Sequence, residues 1–142
     1  MKQAVCLIIT STRGRYFAVS RRYDITQWGF PGGKVDPGES HDEAIIRETK
    51  EEIGFFVDKT QIVPIYSGLC EGKDGHDFWV TTYLYIPTVL EDFLLGNVTL
   101  EEGLTGTFAT GDDLVSAAFS PFNFYNDEAL TAVDKYRNPG YY

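Results

Sequence analysis

The chain has 142 residues, 43% of them hydrophobic and 23% charged, with a formal net charge of -9. That is the size and composition of one ordinary domain over residues 1 to 142, and no apolar run approaches the ~20 residues needed to span a membrane. The acidic balance argues against a binder of nucleic-acid polymers, whose affinity rests on Lys and Arg; a small phosphorylated substrate is compatible, because bound cations reverse the local sign.

From the start of the chain, Ala4 to Ile9 reads as a buried strand, too short for a secretory signal and without a small-residue cleavage site. Cys6 and Cys70 lack metal or CxxC spacing, so buried free thiols in a reducing cytoplasm are expected. Tyr16 to Ser20 is a second strand after a hairpin turn over Ser11 to Arg15. Asp24 to Gly38 reads as a loop with Gly29, Gly32, Gly33 and Gly38, ending in the tight turn Asp36-Pro37-Gly38.

Ser40 with Glu43 forms a capping-box pattern, and the spacing predicts a helix from Ser40 to Ile53 that buries Ala44, Ile45, Ile46, Thr49 and Ile53 and stops at Gly54. Gln61 to Leu69 and Phe78 to Ile86 are two further strands, joined by the polar turn Glu71 to His76. Leu104 to Ala109 is a weaker strand. Asp112 or Asp113 is expected to cap a short helix through Ala118, and Asn126 a final helix from Asp127 to Tyr136. This order fits an α/β (α+β) domain, a mixed sheet with helices on both sides.

The chemistry concentrates on the helix after the glycine loop. Residues three and four apart share a helix face, so Glu48 and Glu52 stack with Glu51 beside them. Like charges at this spacing repel by about 0.2 to 0.5 kcal/mol per pair. A hard, oxygen-seeking ion such as Mg2+ converts that repulsion into a binding site and holds a phosphate through its remaining positions.

The run Gly33 to Phe55, GKVDPGESHDEAIIRETKEEIGF, resembles the box of the Nudix hydrolases at Gly33, Glu39, Arg47, Glu48, Glu51, Glu52 and Gly54. Chance agreement at those polar and glycine positions is on the order of 10^-8 at a given start. Thr49 replaces the family's usual aliphatic residue, and Phe55 a smaller branched one; both concern packing under the helix.

The resemblance covers nearly the whole chain and implies an αβα sandwich with a mixed sheet. It also implies Mg2+ or Mn2+ held by Glu48, Glu52, Glu51 and a backbone carbonyl at Gly32 or Gly33, with Arg47 and Glu39 as an ion pair that orients the loop. In similar enzymes the general base is a box glutamate or one from a later loop, where Glu101 and Glu102 stand; Glu102 is carried forward with the box glutamates.

Arg21 and Arg22 precede the loop, and on a strand only one of two neighbours faces a phosphate; Arg21 is taken. Ser120 to Asn126 is similar to the stretch that supplies a purine-reading asparagine in MutT-like members, which favours Asn123. Trp28, Phe78 and Phe124 are candidate stacking partners, while His41 and His76 read as ordinary surface histidines.

The expected activity is a metal-dependent hydrolase of a nucleoside diphosphate linked to another moiety. Foremost is a nucleoside triphosphate pyrophosphatase, with oxidised purine nucleotides among its candidate substrates. The alternatives are an ADP-ribose or dinucleotide pyrophosphatase, often preceded in such relatives by an extra amino-terminal segment, and a non-catalytic nucleotide-binding domain. A cytoplasmic protein with a small nucleotide as partner is expected; monomer and homodimer stay open.

Overall fold

The computed structural model describes residues 1–22, 24–72 and 75–142, so Lys73 and Asp74 of the expected turn lie outside the described residues. Its first strand, β1 (Lys2–Ser11), is buried on both faces. Val5, Leu7 and Ile9 enter one core, while Ile8, with Ala4 and Cys6 packed alongside, enters the other. Successive strand side chains point to opposite faces, so the unbroken apolar run follows from burial on both sides.

Around β1 lie β2 (Tyr16–Arg21), β3 (Asp24–Gly29), β4 (Gly32–Lys34), β5 (Ile62–Cys70), β6 (Phe78–Val89) and β7 (Gly106–Ala109). The seven-stranded sheet has the order β3-β2-β1-β6-β5, with β4 added on β1 and β7 on β2. β1 and β6 run parallel, in register from Lys2 with Phe78 to Ile9 with Tyr85, and the other pairs are antiparallel. The mixed sheet is thus as expected.

Helix α1 (His41–Ile53) packs over β1 and β4, where Ala44, Ile45 and Ile53 close the first core. A fully buried aliphatic side chain of this kind contributes about 1.5 to 3 kcal/mol. The Ser40 hydroxyl accepts from the Glu43 amide at 3.1 Å, and Gly54 ends the helix with φ 63°. Helix α4 (Asn123–Arg137) covers β5 from the opposite side, where Tyr125, Ala129 and Val133 enter the second core. Among the described residues, no helix is long and apolar enough to cross a membrane.

Several elements depart from the sequence reading. The expected loop from Asp24 holds β3 and β4, because Gly32 and Gly33 pair with Cys6 and Val5; a Cβ on Gly32 would stand 2.1 Å from the Val5 carbonyl oxygen. Helix α2 (Glu91–Asn97), which buries Leu94, has no side-chain cap to announce it. Thr110, rather than Asp112 or Asp113, caps α3 (Gly111–Leu114), which ends before Ala118.

Asn126 does not cap the last helix. It sits inside α4, buried, and its amide donates to the Leu114 carbonyl at 2.9 Å and to the Ser120 hydroxyl at 3.1 Å. Its side chain binds to the preceding loop instead of the helix start.

Candidate active site

Arg47 organises the space between the loop and α1. Its guanidinium donates to both Glu39 carboxylate oxygens at 2.7 and 2.8 Å, to Glu48 at 2.9 Å, to Glu51 at 3.1 Å and to the Lys34 carbonyl at 3.0 Å. Asp36 adds a further ion pair at 3.4 Å. The expected Glu39 pair is present in fork geometry, and Arg47 holds the Glu39 carboxyl down at about 2. Glu39 folds back on the Asp36 amide at 3.0 Å, closing the turn in which Gly38 has φ 81°. The Nudix resemblance implied the Glu39 partner, but not Asp36 or the Lys34 carbonyl, which only the fold brings to the same guanidinium.

Glu48 and Glu52 lie against the glycine strand. A Cβ on Gly33 would fall 2.3 Å from a Glu48 carboxylate oxygen, so only glycine leaves this cradle open. The Glu52 carboxylate accepts from the Gly32 amide at 3.1 Å. Burial is the main cause that pushes the Glu52 carboxyl up to about 7, with the Gly32 amide opposing it and Glu48 and Glu101 adding to it. Glu48 is likewise raised by burial, against the pull of Arg47. Glu51 points outward, its side chain 59% exposed.

The backbone after α1 carries the loop glutamates back to this place. The Glu101 amide donates to the Glu52 carbonyl at 2.8 Å, and the Thr99 amide to the Ile53 carbonyl at 2.9 Å. The Glu101 carboxylate is engaged by Arg22 at 2.6 Å; Glu102 is exposed at the turn before Gly103, which has φ 86°. Arg21 takes the other direction: its guanidinium lies 4.8 Å above the Phe122 ring, and its charge favours the ionised form of Glu52.

Beyond Phe122 opens a cleft of about 290 Å³ between β5 and α4. Asn123, the first residue of α4, is half-buried between two cleft-lining phenylalanines, Phe122 and Phe124. Of the stacking candidates, Trp28 is already stacked on Phe119 with centroids 5.9 Å apart, Phe78 lies under Lys34, and Phe124 is 85% exposed. His76 is exposed, whereas His41 is half-buried and its ring nitrogen meets the Gln3 amide oxygen at 3.2 Å. Cys6 and Cys70 are free thiols; burial pushes Cys6 up to about 12, which keeps it a neutral thiol.

The sequence profile of the NUDIX domain matches residues 1–131. The chain belongs to the Nudix family. Curated relatives include a Bacillus subtilis (strain 168) protein whose name proposes an 8-oxo-dGTP diphosphatase, 42% identical over 48 residues, 34% of this chain and 32% of that one. The RNA pyrophosphohydrolase of a Nitratiruptor species is 48% identical over 48 residues, 33% of this chain and 30% of its own. The matched stretch thus spans about a third of these relatives' length.

Among solved structures, the E. coli ORF135 protein superposes with a TM-score of 0.72 at 21% identity, covering 96% of this chain and 93% of that one. MutT from Aliivibrio salmonicida and Vibrio cholerae reaches a TM-score of 0.60 at 24% identity, covering 88% and 95%. These likenesses show the Nudix fold.

The residues of this Nudix site suit a divalent cation. Glu48 and Glu52 are hard oxygen donors, held next to a backbone that the missing Cβ of Gly33 exposes. Burial leaves Glu52 with only partial compensation of its charge, which a cation would complete. Among the described residues, no three His, Cys, Asp or Glu side chains converge tightly enough to hold a metal ion as they stand; Arg47 holds the Glu48 and Glu51 carboxylates.

Proposed function

We propose that the protein is a cation-dependent phosphoanhydride hydrolase of small nucleotides, foremost a pyrophosphatase that converts a nucleoside triphosphate to the monophosphate and pyrophosphate. The supporting observation is the buried Glu52 carboxyl beside Glu48 at the glycine strand, with Arg21 between these glutamates and an aromatic cleft. The names of the relatives, a diphosphatase and an RNA pyrophosphohydrolase, support the reaction class. The Bacillus subtilis name also keeps oxidised purine nucleotides among the substrates to test.

In this reading Glu48, Glu52 and a backbone carbonyl at Gly32 or Gly33 would hold Mg2+ or Mn2+, with Glu51 as a further ligand or water anchor. The cation, when bound, neutralises phosphate charge and lowers the pKa of water. Arg21 binds a substrate phosphate as a cation with directed donors, and Asn123 contacts the base. Arg47 and Glu39 fix the loop so that the glutamates and the phosphates meet in one geometry. Glu102 is assigned the general base, since its neighbour Glu101 is already engaged by Arg22. The setting is cytoplasmic, with a nucleotide rather than a polymer as partner.

A panel of nucleotides with Mg2+ or Mn2+, with the products resolved, tests the assignment. Monophosphate plus pyrophosphate is expected. Two monophosphates from a dinucleotide or from ADP-ribose as the best reaction would move the protein to diphosphate-linked substrates, and activity surviving exhaustive chelation would remove the cation from the proposal.

A further inference from the structure

The cleft between β5 and α4 has a lining that the phosphate chemistry does not use. Its walls are aromatic, with Phe122 and Phe124 at the start of α4 and Tyr125 beside Cys70, and its rim carries two carboxylates, Glu71 and Glu128. Phe124 and Glu128 are one turn apart and share a face of α4. At about 290 Å³ the cleft is at the small end for a ligand site, which suits one planar ring system and leaves sugar and phosphates outside. Arg21, stacked on Phe122 and electrostatically coupled to Glu52, marks the direction in which the phosphates leave.

The rim selects among rings by charge. The Tyr66 hydroxyl donates to one Glu128 carboxylate oxygen, which orients the group; an ionised carboxylate has about four lone-pair positions, so it still accepts from a ligand. A carboxylate accepts only, so it is matched by the amine of cytosine, adenine or guanine and opposed by the 4-carbonyl of uracil or thymine.

We propose that this cleft holds the substrate's base and that Glu128, oriented by Tyr66 and with the Glu71 charge nearby, selects nucleotides whose base carries an exocyclic amine. The inference rests on the nucleotide reading above and narrows its substrate class. Glu128 reads the amine from the second turn of α4, on the face it shares with the cleft-lining Phe124.

The test compares nucleotides that differ in one group. Specificity constants with Mg2+ are measured for dCTP against dUTP and for dATP against dITP, and equilibrium binding for dCMP against dUMP, in the wild type, Glu128→Gln and Tyr66→Phe. The wild type is expected to prefer the amine-bearing partner by about 5- to 150-fold, the range for one good base contact. Glu128→Gln should bring the ratio towards one, because its amide also donates to a carbonyl, and Tyr66→Phe should lower the ratio less. Equal constants for dCTP and dUTP in the wild type would overturn the inference and leave the hydrolase reading standing. A uniform loss on all nucleotides in both variants, with ratios unchanged, would reduce Glu128 to a structural role and overturn it as well. Selective binding of dCMP without hydrolysis of any nucleotide would support the cleft assignment and overturn the hydrolase.

Discussion

Gly33 and Glu48 occupy a space that closes if either grows: a Cβ on Gly33 would lie 2.3 Å from the Glu48 carboxylate. The glycine is therefore a requirement of the neighbouring carboxylate, beyond any turn, since Gly33 sits in β4 paired with Val5. Replacing Gly33 with Ala should displace Glu48 while β4 persists. A cation affinity lowered about 10- to 100-fold is expected, as for other changes that misplace a ligand. Titration calorimetry with Mn2+ on the folded variant checks this; unchanged affinity would separate Glu48 from the cation.

Arg47→Ala removes the common partner of Glu39, Glu48 and Glu51. The Glu39 carboxyl, held at about 2 by Arg47, should return towards the ordinary carboxylate range, which carboxyl NMR titration follows directly. Turnover should fall with it, because the turn closed by Glu39 loses its anchor on α1. A Glu39 that still titrates near 2 would mean that the Asp36 amide alone holds it.

Glu52 makes the cation-free protein sensitive to neutral pH. Its folded carboxyl titrates near 7 against an ordinary 4.5, so the folded state binds this proton more tightly than the unfolded chain. The stability it contributes is complete below about pH 4.5 and is lost as pH rises through about 7, on the order of 3 kcal/mol at ~1.36 kcal/mol per pH unit. Glu52→Gln should therefore be more stable than the wild type at pH 8 in chelator, and the difference should vanish near pH 4. Mg2+ should stabilise the wild type but not the variant, and turnover of the variant should drop by orders of magnitude. Denaturant melts across this range, with and without Mg2+, test both signs.

Thr49 is fully buried, and its hydroxyl has no hydrogen-bond partner among the described residues. A buried hydroxyl without a partner costs about 1 to 3 kcal/mol, so Thr49→Val, equal in shape, should stabilise the fold by about 1 kcal/mol. The denaturation midpoint is the measurement. A destabilised variant would show that the hydroxyl has a partner in solution.

Local patterns settled much of this protein before any coordinates. The Ser40 and Glu43 capping box, the Gly54 stop and the unbroken apolar run along β1 act over a few residues, so helix α1 and the central strand were readable directly. The pair of Glu39 and Arg47 came from the Nudix resemblance rather than from spacing, and the structure forms it. The departure at Thr49 was visible as a residue type, while its unpartnered hydroxyl needed the packed core.

What the tertiary structure alone decided depends on groups far apart in the chain. Gly32 and Gly33 look like loop glycines until β1 pairs with them, and Asn126 looks like a cap until Leu114 and Ser120 are brought to its amide. The raised Glu52 carboxyl comes from burial, which no spacing encodes. The cleft is the clearest case: Glu71 and Glu128 belong to segments more than fifty residues apart, and they meet only because α4 packs on β5. Helix caps and apolar runs are set by neighbours in sequence, whereas close approach, desolvation and a shared cleft are set by the packing of whole elements.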